Sequence, residues 1–115
     1  MKVLTKLQQA ELEKQHDASL KWSYSTESAK VVAKLHYADT GAVWYAFEGT
    51  QCEDGWQLYC YADSGGCGDY AYEYLTIPDL CATGITRDNT YVPETVSDTV
   101  LRLTNPATRH VWRRV

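Results

Sequence analysis

The feature that most constrains this chain is an alternation of apolar and polar residues that runs from Ala29 to Ile77. Aromatic and β-branched residues repeated with a period of two are typical of strands on a pleated sheet. Because short loops separate the alternating segments, consecutive strands should pair antiparallel, as a meander. The pattern predicts four strands and one further short strand or turn, at residues 30–37, 42–48, 56–62, 69–77 and 85–91.

A sheet of this kind needs an apolar element against one face, and the N-terminal segment is the candidate. Thr5 and Gln8 fit a capping box, in which the two side chains satisfy amides at the start of a helix. We expect this helix to run to about residue 15, and Pro78 and Gly84 indicate a short second helix near residues 78–83. The predicted fold class is α+β, with an N-terminal helix packed on a four- to five-stranded antiparallel β-meander.

The 115 residues match the size of one domain. We predict a single α+β domain over residues 1–97 and a C-terminal extension over residues 98–115, whose end is basic because four arginines and no acid follow Asp98. The apolar runs are too short for a membrane helix, and the opening residues lack the apolar core of a secretory signal. We therefore expect a cytoplasmic protein with no membrane contact.

The net charge of −4 conceals a strongly acidic centre. No Lys or Arg occurs in residues 35–86, and that interval contains eight Asp and Glu residues. A protein that grips phosphates would concentrate basic residues on one face, so direct nucleic-acid binding is not expected. Acidic surfaces attract cationic partners, although the same charges also serve simply to keep a domain soluble.

Tyrosine is the second unusual feature, because the chain has nine Tyr and four Trp but only one Phe. Tyr and Trp combine an apolar body with a polar tip and are favoured at protein interfaces, although tyrosines at the edge of a core give the same pattern. The expected partner is a protein, with the basic site of a nucleic-acid-handling host protein as the candidate. The predicted partner-binding residues are four anionic contacts and three tyrosine anchors, namely Asp54, Asp63, Asp69, Glu73, Tyr59, Tyr61 and Tyr72.

The cysteines do not form a recognisable ligand motif. Zinc sites usually bring ligands in pairs two to four residues apart, and this chain has no such pair. Two disulfides remain a formal alternative that the spacing does not favour. We predict free thiols and neither a metal nor a cofactor at the four positions, Cys52, Cys60, Cys67 and Cys81.

A catalytic alternative rests on the glycine-rich loop around Cys67. Asp63 and Asp69 flank this loop, and the three residues together are the candidates for a small enzyme. His36 as a partner of the thiol, or a cation held by the two carboxylates, are variants of the same idea. Nothing in the sequence orients these groups, so we expect a non-enzymatic protein. A structural or assembly protein is the third hypothesis, and the oligomeric state is left open.

Four segments also carry a resemblance, namely MKVLTK at the start, WYAFEG at residues 44–49, TIPDL at residues 76–80 and GITRDNTYVP at residues 84–93. As a set they resemble a family of short proteins, a domain of unknown function, encoded on plasmids, phages and integrative elements. The resemblance covers roughly residues 1–97. It implies a helix packed on an antiparallel sheet, an origin on a mobile element and no assigned activity, and it favours an interaction protein that acts on a host or element-encoded protein.

Overall fold

The computed structural model describes residues 3–21, 25–53, 55–78 and 84–104. The described strands form one five-stranded antiparallel sheet in the order β4-β3-β2-β1-β5. The predicted α+β class, with an N-terminal helix and an antiparallel sheet, is confirmed. The elements in chain order are α1 (Lys6–Lys21), a 3-10 turn (Thr26–Ser28), β1 (Ala33–Tyr37), β2 (Ala42–Cys52), β3 (Gly55–Asp63), β4 (Ala71–Ile77), β5 (Thr86–Arg87) and α2 (Val96–Thr104).

Helix α1 begins at the predicted capping box. The Gln8 amide donates to Thr5 Oγ1 at 3.0 Å, and the Thr5 amide donates to Gln8 Oε1 at 2.9 Å. The predicted end near residue 15 is wrong, because the helix continues to Lys21. The Gln15 side chain donates hydrogen bonds to the carbonyls of Lys30 and Phe47. Such contacts with the rest of the fold stabilise the second half of α1, whose sequence is largely polar.

The first core lies between α1 and one face of the sheet. Leu12 of α1 and Leu58 of β3 are fully buried there. Gly49 of β2 lets the helix approach closely, because a Cβ at this position would lie 2.7 Å from Leu58 Cδ2 and 3.2 Å from Leu12 Cβ. Burial of such side chains is the dominant favourable contribution to folding.

A β-bulge at Phe47 interrupts the pairing of β2 with β3. Ala46 is opposite Cys60 and Glu48 is opposite Tyr59, so Phe47 is the extra residue. Phe47 keeps the side of Tyr45, opposite α1, and the bulge shifts the residues after it, so that Glu48 is opposite Tyr59 and Gly49 lies on the α1 face. Strand β2 continues to Cys52, four residues past its predicted end.

Strand β1 begins at Ala33 rather than at residue 30. The Val31 amide donates to the Glu94 carbonyl at 2.8 Å, outside the ladder with β2. Regular alternation along a strand from residue 30 would put Val31 on the same side as Ala33 and Leu35. Val31 instead packs in the opposite cluster, while Ala33 and Leu35 lie in the α1 core.

The predicted domain boundary at residue 97 falls inside α2. Val96 and Thr99 of this helix are fully buried, so at least residues 98–104 pack with the sheet instead of extending from it. The predicted helix at 78–83 lies outside the described residues except for Pro78, which forms a bend. Within the described ranges no helix has the length and apolar character needed to cross a membrane.

Candidate protein-interaction surface

The face of the sheet opposite α1 is built largely from aromatic rings. Alternate residues of a strand share a face, and so do residues paired across two antiparallel strands. Tyr59 is paired with Tyr74, and Tyr61 is paired with both Tyr45 and Tyr72. We call this surface the tyrosine face, and its members are Tyr45, Phe47, Tyr59, Tyr61, Tyr70, Tyr72 and Tyr74.

The rings of the tyrosine face contact one another across β3 and β4. The ring centroids of Tyr59 and Tyr74 are 4.8 Å apart, those of Tyr61 and Tyr72 are 5.1 Å apart, and those of Tyr61 and Tyr70 are 5.5 Å apart with nearly parallel planes. Such aromatic pairs are favourable beyond the area that they bury. These contacts between rings fix the arrangement of the tyrosine face in the free protein.

Helix α2 closes one end of the tyrosine face. Tyr45 is buried there, and Lys34 Nζ and Arg102 Cζ each lie 5.7 Å from the centroid of its ring. Arg102 is in turn held by the carboxylate of Glu94. Burial raises the pKa of Tyr70 to about 12, which is the expected effect of removing a phenolate from water. This closed end is a second small core.

The other end of the tyrosine face is open. Tyr72 is 42% exposed and Tyr74 is 65% exposed, and both lie on β4, which is the terminal strand of the described sheet. Tyr59 of β3 is half-buried between them and Phe47. Partial burial raises the pKa of Tyr59 and of Tyr72 above the ordinary value. These three tyrosines form what we call the open end.

Asp63, predicted as an anionic contact, is a structural residue. It is 5% exposed, its Oδ1 accepts the Cys67 amide at 3.2 Å and its Oδ2 accepts the Gly68 amide at 2.8 Å. The carboxylate thereby holds the loop that follows β3. At Gly66 in this loop φ is +68°, and a Cβ would lie 2.0 Å from the Thr40 carbonyl oxygen. Both oxygens therefore bind the loop, and the partner contact of Asp63 stays a prediction that the burial of this residue does not favour.

The other predicted residues that the structure describes lie in different surroundings. Glu73 is opposite Cys60, which places it on the α1 side of the sheet, where it accepts a hydrogen bond from Ser64 at 3.2 Å. Tyr61 is only 5% exposed and packs between the rings of Tyr70 and Tyr72, so it does not protrude from the surface as an anchor. Tyr59 and Tyr72 belong to the open end. Asp69 is exposed beside the loop, and Asp54 lies outside the described residues.

Two residues opposite Tyr59, namely Tyr74 and Glu48, were not among the predicted partner-binding residues. Tyr74 continues the alternation of Tyr70 and Tyr72, so the signal for it was present. Glu48 lies beside Tyr59 only because of the bulge, and no pattern in the sequence predicted the bulge. Its carboxylate is buried, accepts the Ser19 hydroxyl at 2.9 Å and lies 3.6 Å from His16 Nδ1.

The loop proposed for catalysis does not assemble its candidates around a common point. Asp63 binds backbone amides, and the Cys67 thiol lies 3.6 Å from Asp69 Oδ2. The ring of His36 instead faces Thr86 Oγ1, with its nitrogens at 3.0 and 3.3 Å. Across the described residues there is no group of three or more His, Cys, Asp or Glu side chains suited to holding a metal.

The three described cysteines are free thiols. Cys60 is buried in the first core, and burial together with the nearby charge of Glu73 raises the pKa of its thiol, which makes it unreactive. Cys52 and Cys67 are exposed. Cys81 lies outside the described residues, so the prediction of four free thiols stays a prediction.

Comparisons with known proteins identify no relative. No family model, no curated protein and no solved structure matches the chain. The resemblance to proteins of mobile elements therefore stays a prediction. The functional inference below depends on the geometry and charge of the tyrosine face.

Proposed function

We propose that this chain is a non-enzymatic interaction protein that binds a partner protein through the open end of the tyrosine face. The observation that supports the proposal is the exposure of Tyr72 and Tyr74 on a face whose other rings are buried or half-buried. Large tyrosines held in place by neighbours contribute contact area at a small entropic cost, and they are enriched at binding hot spots.

The charge around the open end favours a cationic partner. Besides burial, the carboxylate of Glu48 contributes to the raised pKa of Tyr59, and that of Glu27 contributes to the raised pKa of Tyr72. Opposite charges accelerate the encounter of two proteins and exclude like-charged competitors. The proposed partner is a protein with a basic patch, and the basic site of a nucleic-acid-handling host protein is the example with this chemistry. Encoding on a mobile element, as the resemblance implies, fits such a role.

The position of β4 adds main-chain groups to this surface. In the order of the described strands β4 is terminal, so the tyrosines of the open end stand beside a sheet edge. Sheet edges offer N–H and C=O groups to an incoming segment. A partner that contacts the tyrosines can therefore also reach the backbone of β4.

Affinity capture from a bacterial lysate tests the proposal. The immobilised protein is compared with the double variant Tyr72→Ser/Tyr74→Ser and with Leu7→Ser/Leu101→Ser, which removes exposed leucines from α1 and α2. We expect basic proteins to be retained by wild type and by the leucine variant at about 50 mM salt, and to be lost from the tyrosine variant and at about 500 mM salt. Capture of the same proteins by the tyrosine variant would overturn the proposal.

A further inference from the structure

A small cavity adjoins the open end and has no role in the surface described so far. It measures about 170 Å³ and lies between the second half of α1 and strands β2, β3 and β4. Its lining includes Glu48, Tyr59, Tyr74 and Gln57. Pockets that enclose drug-sized ligands are larger, at about 300–1,000 Å³. The cavity therefore has the size for a single side chain.

The carboxylate of Glu48 gives this cavity a negative charge. Glu48 is 8% exposed, and a carboxylate at such depth is costly without a compensating group. The Ser19 hydroxyl and the His16 ring both contact Oε1. Oε2 has no hydrogen-bond partner in the described part of the chain.

Two aromatic rings also line the cavity. The centroids of Tyr59 and Tyr74 are 4.8 Å apart, so the two rings pack against each other and form one wall, and cations bind over such rings within about 6 Å of the centroid. The closed end of the tyrosine face shows the same chemistry, because Lys34 and Arg102 each lie 5.7 Å from the ring centroid of Tyr45. None of the described residues that line the cavity is Lys or Arg.

We propose that this cavity binds one lysine ammonium group of the partner protein, with Glu48 as its counter-ion and the packed rings of Tyr59 and Tyr74 as its aromatic wall. This inference rests on the proposed function, for which it names the group that is recognised. Lysine fits better than arginine because only one oxygen of Glu48 is free. An ammonium needs a single acceptor, whereas a guanidinium binds best to both oxygens of a carboxylate.

A lysine derivative tests the proposal without an identified partner. Nα-acetyl-lysine N-methylamide is titrated into the 15N-labelled protein at low salt, and amide chemical shifts are recorded. The norleucine derivative, which has the same stem without the charge, is the matched control. We expect saturable shifts at Glu48, Thr50, Gln57, Tyr59 and Tyr74 with the lysine derivative only. Equal shifts with norleucine would overturn the proposal.

Three variants locate the binding group. Glu48→Gln should weaken binding of the lysine derivative about tenfold or more, since a charge-assisted hydrogen bond is lost. Gln57→Lys, an exposed substitution at the rim, should place the protein's own ammonium in the cavity and abolish binding, and it keeps the test open if Glu48→Gln does not fold. Glu13→Gln removes an exposed charge of α1 outside the cavity and should leave binding unchanged.

The outcomes separate this proposal from the proposed function. Unchanged affinity of the lysine derivative in Gln57→Lys or in folded Glu48→Gln would overturn the cavity proposal. Capture of basic proteins by wild type, with its loss in Tyr72→Ser/Tyr74→Ser, would then still support the interaction surface. Failure of the proposed function appears instead as unchanged capture by the tyrosine variant, whatever the lysine derivative does.

Discussion

The two faces of the sheet have large apolar or aromatic residues at the same spacing, yet they differ in how far they are closed. On the α1 face, Leu12 and Leu58 are fully buried. On the tyrosine face, Tyr45 is buried under α2 while Tyr72 and Tyr74 reach solvent. The comparison teaches that alternation along a strand assigns a side chain to a face, whereas the covering element decides whether that face becomes a core or a surface.

The contacts of α2 explain the difference. Arg102 of α2 lies 5.7 Å from the ring centroid of Tyr45, and Val100 and Leu103 pack against the cluster that contains Tyr45. In the described part of the chain these contacts close one end of the tyrosine face, while Tyr72 and Tyr74 reach solvent.

The largest predicted effect is the difference between substitutions of a buried residue on the α1 face and of an exposed residue at the open end. Leu58→Ala should lower the free energy of unfolding by about 2–5 kcal/mol, because it leaves a cavity beneath α1. Tyr74→Ala should change it by less than about 1 kcal/mol, because this side chain is mostly exposed. Urea unfolding followed by circular dichroism measures both. Similar losses for the two variants would mean that both faces are cores.

A smaller effect is predicted for the loop after β3. Asp63→Ala should lower the free energy of unfolding by about 1–3 kcal/mol, because the amides of Cys67 and Gly68 lose their acceptor. Asp69→Ala, an exposed neighbour, should change it by about 0.5 kcal/mol or less. If the two variants unfold alike in urea, Asp63 is a surface residue after all.

A further effect concerns pH and the closed end, where the ring of Tyr91 contacts that of Tyr45 with centroids 6.0 Å apart. The pKa of Tyr70 and that of Tyr91 are raised to about 12, mainly by burial, whereas an unfolded tyrosine titrates near about 10. The unfolded state therefore loses its protons first, and stability should be constant below about pH 10 and fall as pH rises toward about 12.

Urea unfolding at intervals of pH measures this loss. Tyr70→Phe/Tyr91→Phe should make the dependence shallower, because the phenylalanines have no proton to lose. Tyr74→Phe, at the open end, is the matched control and should leave the slope close to that of wild type. If the free energy of unfolding depends on pH with the same slope in wild type and in both variants, Tyr70 and Tyr91 are exposed to solvent.

Much of the fold could be predicted from sequence because local chemistry determines it. The capping box of Thr5 and Gln8 and the period of two in the strands are short-range signals, and the structure confirms both. The common face of the alternating tyrosines follows from the same period. These features depend on neighbours within a few positions of the chain.

The features that were missed depend on distant parts of the chain. The extra length of α1 comes from contacts of Gln15 with Lys30 and Phe47, and α2 owes its place to the buried Val96. The bulge at Phe47 reverses which residues share a face and so brings Glu48 beside Tyr59. Asp63 was assigned to the surface because sequence spacing does not reveal the backbone amides that it binds.

Nitration by tetranitromethane, mapped by mass spectrometry, tests the central claim most directly. In the free protein we expect Tyr72 and Tyr74 to react and Tyr45 and Tyr61 to be protected. Addition of the basic protein most enriched by lysate capture should then protect Tyr72 and Tyr74. Equal reactivity of all four rings, or unchanged nitration of Tyr72 and Tyr74 in the complex, would contradict an account in which the open end of the tyrosine face is the binding surface.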